Sequence, residues 1–182
     1  MAASFALFDT PIGTCGLVWG SRGIAGLQLP ERTAEATRAR VKRRWPGVVE
    51  ADAVPAGVQR ALDRVQALLA GGTVDLADIP LDLEAAPDFH RRVYEVARTI
   101  PPGRTLTYGE IANRLGMPHE SREVGQALGK NPIAIIVPCH RVLGADGKMG
   151  GFSANGGVST KRRMLEIEGA PEVGAGPLFA GR

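Results

Sequence analysis

The sequence is poor in the residues that build disulfide frameworks and metal sites. Its 182 residues include 2 cysteines and 3 histidines. Cys15 and Cys139 lie far apart in the chain, which does not indicate a disulfide framework and is typical of a reducing interior. Together with the histidines they form no spaced cluster of ligands. We therefore expect no zinc or other metal site.

Signals for membrane insertion and export are also missing. The chain contains no run of about eighteen apolar residues, the length that a helix needs to span a bilayer. The opening stretch MAASFALFDTPIG has no basic start, and its apolar run is too short for a secretion signal. These absences predict a cytoplasmic protein that makes no contact with a membrane.

The positive charge of the chain is small and unevenly distributed. The formal net charge is +3. The 182 residues are enough for one compact domain or two small ones, and a hydrophobic content of 44% allows a core. Residues 1–89 hold 9 Lys/Arg and 11 Asp/Glu, a net charge of −2, whereas residues 90–182 hold 13 and 8, a net charge of +5. The basic half favours a polyanionic partner such as nucleic acid. The alternative is a mildly basic surface that binds nothing acidic.

The first half of the chain reads as strands followed by helices. SFALF, TCGLVWG and GIAGLQLP are short strand patterns separated by turn residues. AEATRARVKRRW and PAGVQRALDRVQALLAGG are helix patterns, and TVDLADIPLDLEAAP reads as strand and linker. A boundary near residues 84–87 divides the chain into two predicted domains, 1–86 and 87–182.

The second half begins with three helix patterns. PDFHRRVYEVARTIPPG has one apolar face, and TLTYGEIANRLG opens with Thr107 and Glu110 at the spacing of a capping box. After the turn MPHE, Ser121 is predicted to cap a further short helix, SREVGQALG. Two short helices across a tight turn are typical of a DNA-binding helix-turn-helix. The same pattern also fits an ordinary helical hairpin in a small core.

The outward face of that last short helix carries residues that its helix propensity does not explain. Gly125 and Gly129 each cost about 1 kcal/mol relative to alanine, so close approach of another backbone is a reason to have them there. Arg122 lies in the first turn, where the helix dipole disfavours a cation. We interpret Arg122 as aimed at a phosphate or into a base stack, the alternative being a solvated surface. Gln126 and Ser121 belong to the same predicted DNA-facing surface.

The stretch IIVPCHRVLG places one of the two cysteines in a reactive setting. IAIIV is apolar and rich in β-branched residues, which predicts a buried strand that Pro138 ends, so that Cys139 emerges at the strand exit. His140 is the candidate base, although neighbours in a strand face opposite sides, so a turn or a bridging water is needed. Glu168 ends the last helix pattern, STKRRMLEIEGA, where the dipole disfavours a carboxylate, and it is the candidate for orienting the imidazole. Simple surface exposure is the alternative for Glu168, and Cys15 is predicted to be a small core residue.

Three long motifs in the second half resemble one family. PDFHRRVYEVARTIPPGRTLTYGEIA, REVGQALGKNPIAIIVPCHRVLG and GGFSANGGVSTKRRMLEIEGA are similar, in this order, to the O6-alkylguanine-DNA alkyltransferases, also called methylated-DNA–protein-cysteine methyltransferases. The resemblance covers most of residues 87–170, whereas the first half resembles the family loosely. It implies an α+β fold: a small N-terminal α/β domain, ribonuclease H-like, and a mostly helical C-terminal domain with a helix-turn-helix.

The resemblance also implies a single-turnover DNA repair activity. The protein would bind double-stranded DNA containing an alkylated guanine and flip the damaged nucleotide out of the helix, because a stacked base cannot enter a protein pocket. The alkyl group of O6-alkylguanine, mainly O6-methylguanine and also O4-alkylthymine, would pass irreversibly to Cys139. No cofactor is implied, because the damaged DNA is itself the alkyl donor. A monomer is expected.

Individual residues acquire roles through the same resemblance. His140, through a water, would be the base for Cys139, and Glu168 would hold His140. Arg122 would replace the flipped nucleotide, Tyr108 would assist proton transfer to the leaving guanine, and Asn131 would be a hinge. The remaining implied residues are Arg141 on the DNA side, with Gly125, Gln126 and Ser121, and the pocket positions Pro138, Val142, Phe152 and Ser153.

Three other interpretations remain open at this level. A lesion sensor of the same fold binds alkylguanine without repair, but that class carries tryptophan where this chain has Cys139. A thiol hydrolase using Cys139 and His140 would need an oxyanion hole and repeated turnover. A transcription regulator would use the helix-turn-helix alone.

Overall fold

The structure, a computed structural model, describes residues 3–150 and 156–171. Its strands are β1 (Ser4–Thr10), β2 (Gly13–Gly20), β3 (Gly23–Gln28), β4 (Val49–Glu50), β5 (Leu106–Thr107) and β6 (Val142–Leu143). Its helices are α1 (Ala34–Arg44), α2 (Ala56–Leu69), α3 (Asp88–Arg98), α4 (Tyr108–Arg114), α5 (Ser121–Gly129) and α6 (Val158–Ile167), with a short 3-10 helix at Cys139–Arg141. The predicted α+β class is confirmed. The ribonuclease H-like description of the first half stays a prediction.

A four-stranded sheet of order β3-β2-β1-β4 organises the first half. The three predicted strands pair antiparallel in sequence order, and β4, which was not predicted, pairs parallel to β1. α1 covers one face of the sheet, with Val41 packed against Phe5 and Val18. The other face belongs to the main core, where Cys15 is fully buried as predicted. Burial raises the pKa of Cys15 to about 12, which makes this thiol unreactive.

The segment after α2 is not the predicted strand. It follows the free edge of β3 through two backbone hydrogen bonds, Ile24 N to Pro80 O at 2.9 Å and Asp82 N to Ile24 O at 2.8 Å. Arg98 of α3 donates from Nη2 to the carbonyls of Ala77 and Ile79 at 2.6 and 2.8 Å. The edge of the sheet is therefore covered by an irregular segment that an arginine of the second half holds in place.

The helices of the second half pack as their apolar patterns predict. Tyr94 of α3 is buried and donates its hydroxyl to the Ala127 carbonyl of α5 at 2.8 Å. Thr107 and Glu110 form the predicted capping box at the start of α4. Ser121 does not cap α5, because it is already the first helical residue, and the preceding Glu120 occupies the cap position without a side-chain hydrogen bond.

The apolar run IAIIV is buried but is not a strand, so this prediction was wrong. Val137 N donates to Ile133 O at 2.9 Å and Ile136 N donates to Ala134 O at 2.8 Å, which folds the run into tight turns. Ile135 at their centre has φ 71°, a rare conformation for a β-branched residue. Apolarity predicted the burial, but it does not distinguish a strand from a buried turn.

The core runs continuously through both halves of the chain. One cluster contains Leu17 and Leu27 of the sheet together with Val93 of α3, Leu128 of α5 and Ile136. Leu27 N also donates to Pro132 O at 2.9 Å, so the sheet is bonded directly to the segment before Cys139. The predicted division at 86/87 stays a prediction. Within the described ranges, no helix is both long and apolar enough to cross a membrane.

A glycine in β3 permits the close packing of α1 on the sheet. A Cβ atom at Gly26 would overlap the Trp45 ring, which follows the end of α1. We expect Gly26→Ala to lower the free energy of unfolding by about 1–3 kcal/mol, because the ring has to move. Gly20→Ala is the matched control, since a Cβ there meets nothing within 4 Å. Urea unfolding of both variants tests this, and equal effects would contradict it.

Candidate active site

A proline turn places Cys139 at the edge of a cavity. Pro138, with φ −81° and ψ 64°, precedes the 3-10 helix, and Cys139 N donates to Val137 O at 2.8 Å. This turn replaces the alternation of a strand. The Cys139 side chain is consequently partly exposed, whereas the adjacent His140 is buried.

The amide of Asn131 holds the loop that carries Cys139. Its Nδ2 donates to Val137 O at 2.8 Å, and its Oδ1 accepts from Ile133 N at 2.9 Å. Asn131 follows the end of α5 and its own N–H donates to Leu128 O at 3.1 Å. One buried side chain therefore connects the end of α5 to the turn in front of the cysteine.

The cavity beside Cys139 has a volume of about 250 Å³. Tyr108, Gly125 and Leu128 line it from α4 and α5, and Lys161 lines it from α6. Its far wall comes from the first half of the chain, with residues of β3 and α1. A ligand in this cavity would therefore contact both halves of the protein.

Behind Cys139 lies a buried cluster of His140, Arg141 and Glu168. His140 Nε2 lies 2.8 Å from Glu168 Oε1, and the Arg141 guanidinium donates to both oxygens of Glu168, from Nε at 2.9 Å and from Nη2 at 2.8 Å. Arg141 Nη1 donates to the Ile100 carbonyl at 2.7 Å. Burial opposes the charge of Glu168, but the hydrogen bonds and charges of His140 and Arg141 outweigh it and lower the pKa of Glu168 to about 2.

This cluster determines the protonation of the imidazole. Burial lowers the pKa of His140 by more than the hydrogen bond and negative charge of Glu168 raise it, so the ring is neutral near pH 7. An ionised carboxylate only accepts hydrogen bonds, which assigns the ring proton to Nε2 and leaves Nδ1 as an acceptor. Nδ1 is buried and has no hydrogen-bond partner among the described residues. Its lone pair is therefore available to take a proton.

The cysteine is a thiol in its resting state. Burial raises the pKa of Cys139, while the Asn131 side chain and the positive charge of Lys161 act in the opposite direction. A base is consequently needed to form the thiolate, which is the nucleophile. The arrangement can perform attack by sulfur on an electrophilic carbon held in the cavity.

Lys161 belongs to the site, although the sequence reasoning missed it. Its Nζ donates to the Val142 carbonyl at 2.6 Å and lies 5.9 Å from the centroid of the Tyr108 ring. Burial lowers the pKa of Lys161, and interaction with Cys139 partly offsets this. The available signal was its spacing, because Lys161 shares the core-facing side of α6 with Met164 and Leu165.

The residues predicted for the DNA side separate into two groups. Ser121, Arg122 and Gln126 are exposed on α5, and a Cβ added at Gly125 would lie 3.8 Å from the Tyr108 ring, an ordinary contact distance. Arg141 is instead buried with its guanidinium on Glu168 and the Ile100 carbonyl, an arrangement that does not fit a direct contact with DNA. A cation that satisfies a buried carboxylate explains this placement better than a phosphate contact does.

The remaining predicted pocket positions lie close to the cysteine or beyond the described part of the chain. Pro138 and Val142 are buried on either side of the 3-10 helix. Gly150 passes so near the Tyr108 hydroxyl that a Cβ there would lie 2.6 Å from it. Phe152 and Ser153 lie outside the described residues. In the described part of the chain, no group of three or more His, Cys, Asp or Glu is placed to hold a metal.

Comparisons with known proteins identify similar sequences and structures. A family model described as "6-O-methylguanine DNA methyltransferase, DNA binding domain" matches residues 88–170. The methylated-DNA–protein-cysteine methyltransferase of Mycobacterium tuberculosis is 40% identical over 164 residues, 90% of this chain and 91% of that protein.

Solved structures of similar proteins share the overall fold. The crystal structure of Mycobacterium tuberculosis OGT in complex with DNA superposes with a TM-score of 0.74 at 36% identity, covering 93% of this chain and 97% of that one. The O6-methylguanine-DNA methyltransferase of the archaeon Pyrococcus kodakaraensis superposes with a TM-score of 0.68 at 26% identity, covering 92% and 99%. On the identity and coverage of these relatives, the chain belongs to the methylated-DNA–protein-cysteine methyltransferase family.

Proposed function

We propose that this protein repairs double-stranded DNA by moving the alkyl group of an O6-alkylguanine onto Cys139, once per molecule. The observation that carries the proposal is the partly exposed Cys139 at a cavity wall, beside a neutral His140 that an ionised Glu168 orients. O6-methylguanine is the proposed main substrate, and O4-alkylthymine presents an alkyl group in a comparable position. Membership of the family and the DNA complex of the Mycobacterium tuberculosis relative support DNA as the partner.

The proposed reaction begins with proton transfer from the thiol. His140 Nδ1 takes the proton of Cys139, directly or through one water, and the imidazolium that forms is stabilised by Glu168 at 2.8 Å. The Cys139 sulfur then attacks the alkyl carbon, an S–C bond forms, and the C–O6 bond breaks with its electron pair going to the guanine oxygen. The departing guanine anion takes up one proton, with the Tyr108 hydroxyl at the cavity wall as the nearby donor.

The surroundings of the sulfur fit this charge movement. Lys161 brings a buried positive charge that favours the thiolate, and its bond to the Val142 carbonyl ties α6 to the main chain that follows Cys139. The Val142 and Cys139 carbonyls are proposed to read the amino edge of guanine. Nothing in the reaction requires a cofactor, and the thioether product has no route back to the thiol, so each molecule acts once.

The surface proposed for DNA is the α4–α5 pair, read as a helix-turn-helix. Ser121, Arg122 and Gln126 lie on the exposed side of α5, next to the mouth of the cavity that Gly125 lines. Arg122 is proposed to fill the space that the flipped nucleotide leaves in the DNA. Flipping unstacks a base, which costs a few kcal/mol. Arg141, being buried, is assigned the role of holding Glu168 instead.

The first prediction from the proposed reaction concerns the residue that accepts the alkyl group. Incubation with a duplex containing O6-methylguanine should add one methyl group to Cys139, measured by peptide mass spectrometry, and Cys139→Ser should abolish the transfer while keeping affinity for the lesion. Cys15 is an internal control, because its thiol is buried and unreactive. A label on Cys15, or more than one transfer per molecule, would contradict the proposal.

The second prediction concerns Glu168. Its pKa of about 2 in the folded protein, against 4.5 ordinarily, means that its stabilisation is complete above about pH 4.5 and is lost as the pH falls toward 2. Urea unfolding of the wild type should show this as a loss of about 2 kcal/mol between pH 5 and pH 3. Glu168→Gln should remove that pH dependence and slow alkylation of Cys139 at pH 7, because the imidazolium loses its counter-charge.

Glu166→Gln is the matched control for that experiment. Glu166 lies on the same helix but is exposed, so its substitution should leave both the pH profile and the alkylation rate near wild type. A Glu168→Gln variant that keeps the wild-type rate would remove Glu168 from the mechanism.

The third prediction concerns base flipping. Arg122→Ala should slow repair of duplex O6-methylguanine by about tenfold or more, because the vacated stack is no longer filled. Reaction with free O6-benzylguanine needs no flipping and should change less than about twofold. Arg60→Ala removes an exposed positive charge far from α5 and serves as the control. Equal losses with duplex and free base would count against the proposed role.

A further inference from the structure

We infer that Arg40 and Arg44 of α1 form a subsite for an anionic group on the wall of the Cys139 cavity. This inference rests on the proposed function, because it concerns a substrate that occupies the same cavity. It assigns part of substrate binding to the first half of the chain, outside the residues matched by the family model.

The two arginines share one face of α1. They are four residues apart, which places both side chains on the same side of the helix, and both line the cavity that Cys139 and Tyr108 also line. Lys42, Arg43 and Arg44 are all exposed, but of these three only Arg44 lines the cavity. The cavity of about 250 Å³ is continuous from the arginines to the sulfur, so one substrate can contact both.

The charges on this wall are not balanced. Glu31 is the acidic residue that lines the cavity within the described part of the chain, and its Oε1 forms a long ion pair with Arg40 Nε at 4.0 Å, beyond hydrogen-bond distance. Arg40 Nε is buried and has no hydrogen-bond partner among the described residues. Lys161 adds a third cation to the same cavity.

Arg44 is held in place without being neutralised. Its Nη1 donates to Gln28 Oε1 at 2.9 Å, its Nη2 lies 3.4 Å from the Asn131 carbonyl, and its guanidinium stacks 4.7 Å from the centroid of the Trp45 ring. These partners are neutral. Burial and the charge of Arg40 lower the pKa of Arg44, as expected of two like charges held together. Binding of an anion would relieve that repulsion.

Hydrogen bonds to Gln28 and Asn131 account for the position of Arg44, whereas Arg40 has only the ion pair with Glu31 among the described residues. Basic residues in the last turn of a helix stabilise its dipole, and this applies to Lys42, Arg43 and Arg44 alike. It gives no reason for Arg40 and Arg44 to converge on the cavity that contains the cysteine. Guanidinium groups bind phosphate and carboxylate groups through paired hydrogen bonds, so these are the groups that the subsite fits.

Two parts of a substrate carry such a group. One is the phosphate attached to the flipped nucleoside, and the other is a carboxylate on the O6 substituent itself. Three small substrates separate them: O6-benzylguanine has neither, O6-benzyl-2′-deoxyguanosine monophosphate has the phosphate, and O6-(4-carboxybenzyl)guanine has the carboxylate.

The experiment compares second-order rate constants for alkylation of Cys139 by these substrates, in Arg40→Gln, Arg44→Gln and the control Arg43→Gln. We expect each cavity variant to slow at least one anionic substrate by about tenfold, while O6-benzylguanine changes less than about twofold. Loss with the monophosphate identifies the phosphate as the ligand, and loss with the carboxybenzyl compound identifies the substituent. Arg44→Lys, which keeps the charge but not the fork, should recover part of the loss.

Results that would overturn the subsite differ from the result that would overturn the proposed alkyl transfer. Equal slowing of all three substrates, or an equal effect of Arg43→Gln, would overturn the subsite. No slowing with either anionic substrate would overturn it as well. If wild-type protein fails to transfer a benzyl group from O6-benzylguanine to Cys139, the alkyl-transfer function itself fails.

Discussion

The site depends on one buried carboxylate, because Glu168 accepts hydrogen bonds from both His140 and Arg141. A charge buried in this way is costly unless it is paired, and Arg141 supplies the compensating cation. With Glu168 kept ionised, the proton of a neutral His140 resides on Nε2, and Nδ1 remains basic. Without Arg141 the carboxylate would keep its hydrogen bond to a neutral His140 but would have no compensating positive charge.

A second constraint connects the surface proposed for DNA to the sulfur. Asn131 lies between the end of α5 and the turn before Cys139. Its side-chain amide donates to the Val137 carbonyl and accepts from the Ile133 N–H. The sheet reaches the same place through Leu27, whose N–H donates to the Pro132 carbonyl. The cysteine is consequently positioned by both halves of the chain, which explains why they share one core.

Local patterns predicted the elements better than they predicted the site. Three strands, the first two helices and the capping box of Thr107 and Glu110 were predicted correctly, because turn residues and apolar periodicity act over a few residues. The IAIIV run was mistaken for a strand because its apolarity indicates burial but not backbone conformation, and its own backbone hydrogen bonds, with one from the Asn131 side chain, fold it into turns. Arg141 was placed on the DNA side, and Lys161 was missed, because both are cations whose partners are distant in sequence.

Sequence alone was enough to set Cys139 apart from Cys15, to identify His140 and Glu168 as its candidate partners, and to show the resemblance to one family. These conclusions rest on residue types, order and spacing, which the printed sequence contains. Which charged groups meet became visible only in the folded chain. Arg141 on Glu168, Lys161 at the Val142 carbonyl, and Arg40 with Arg44 at the cavity are contacts between segments far apart in the chain. A buried ionic group is stable only with a partner, and packing supplies that partner from a segment far away in the chain. Local sequence patterns do not show which segment that is.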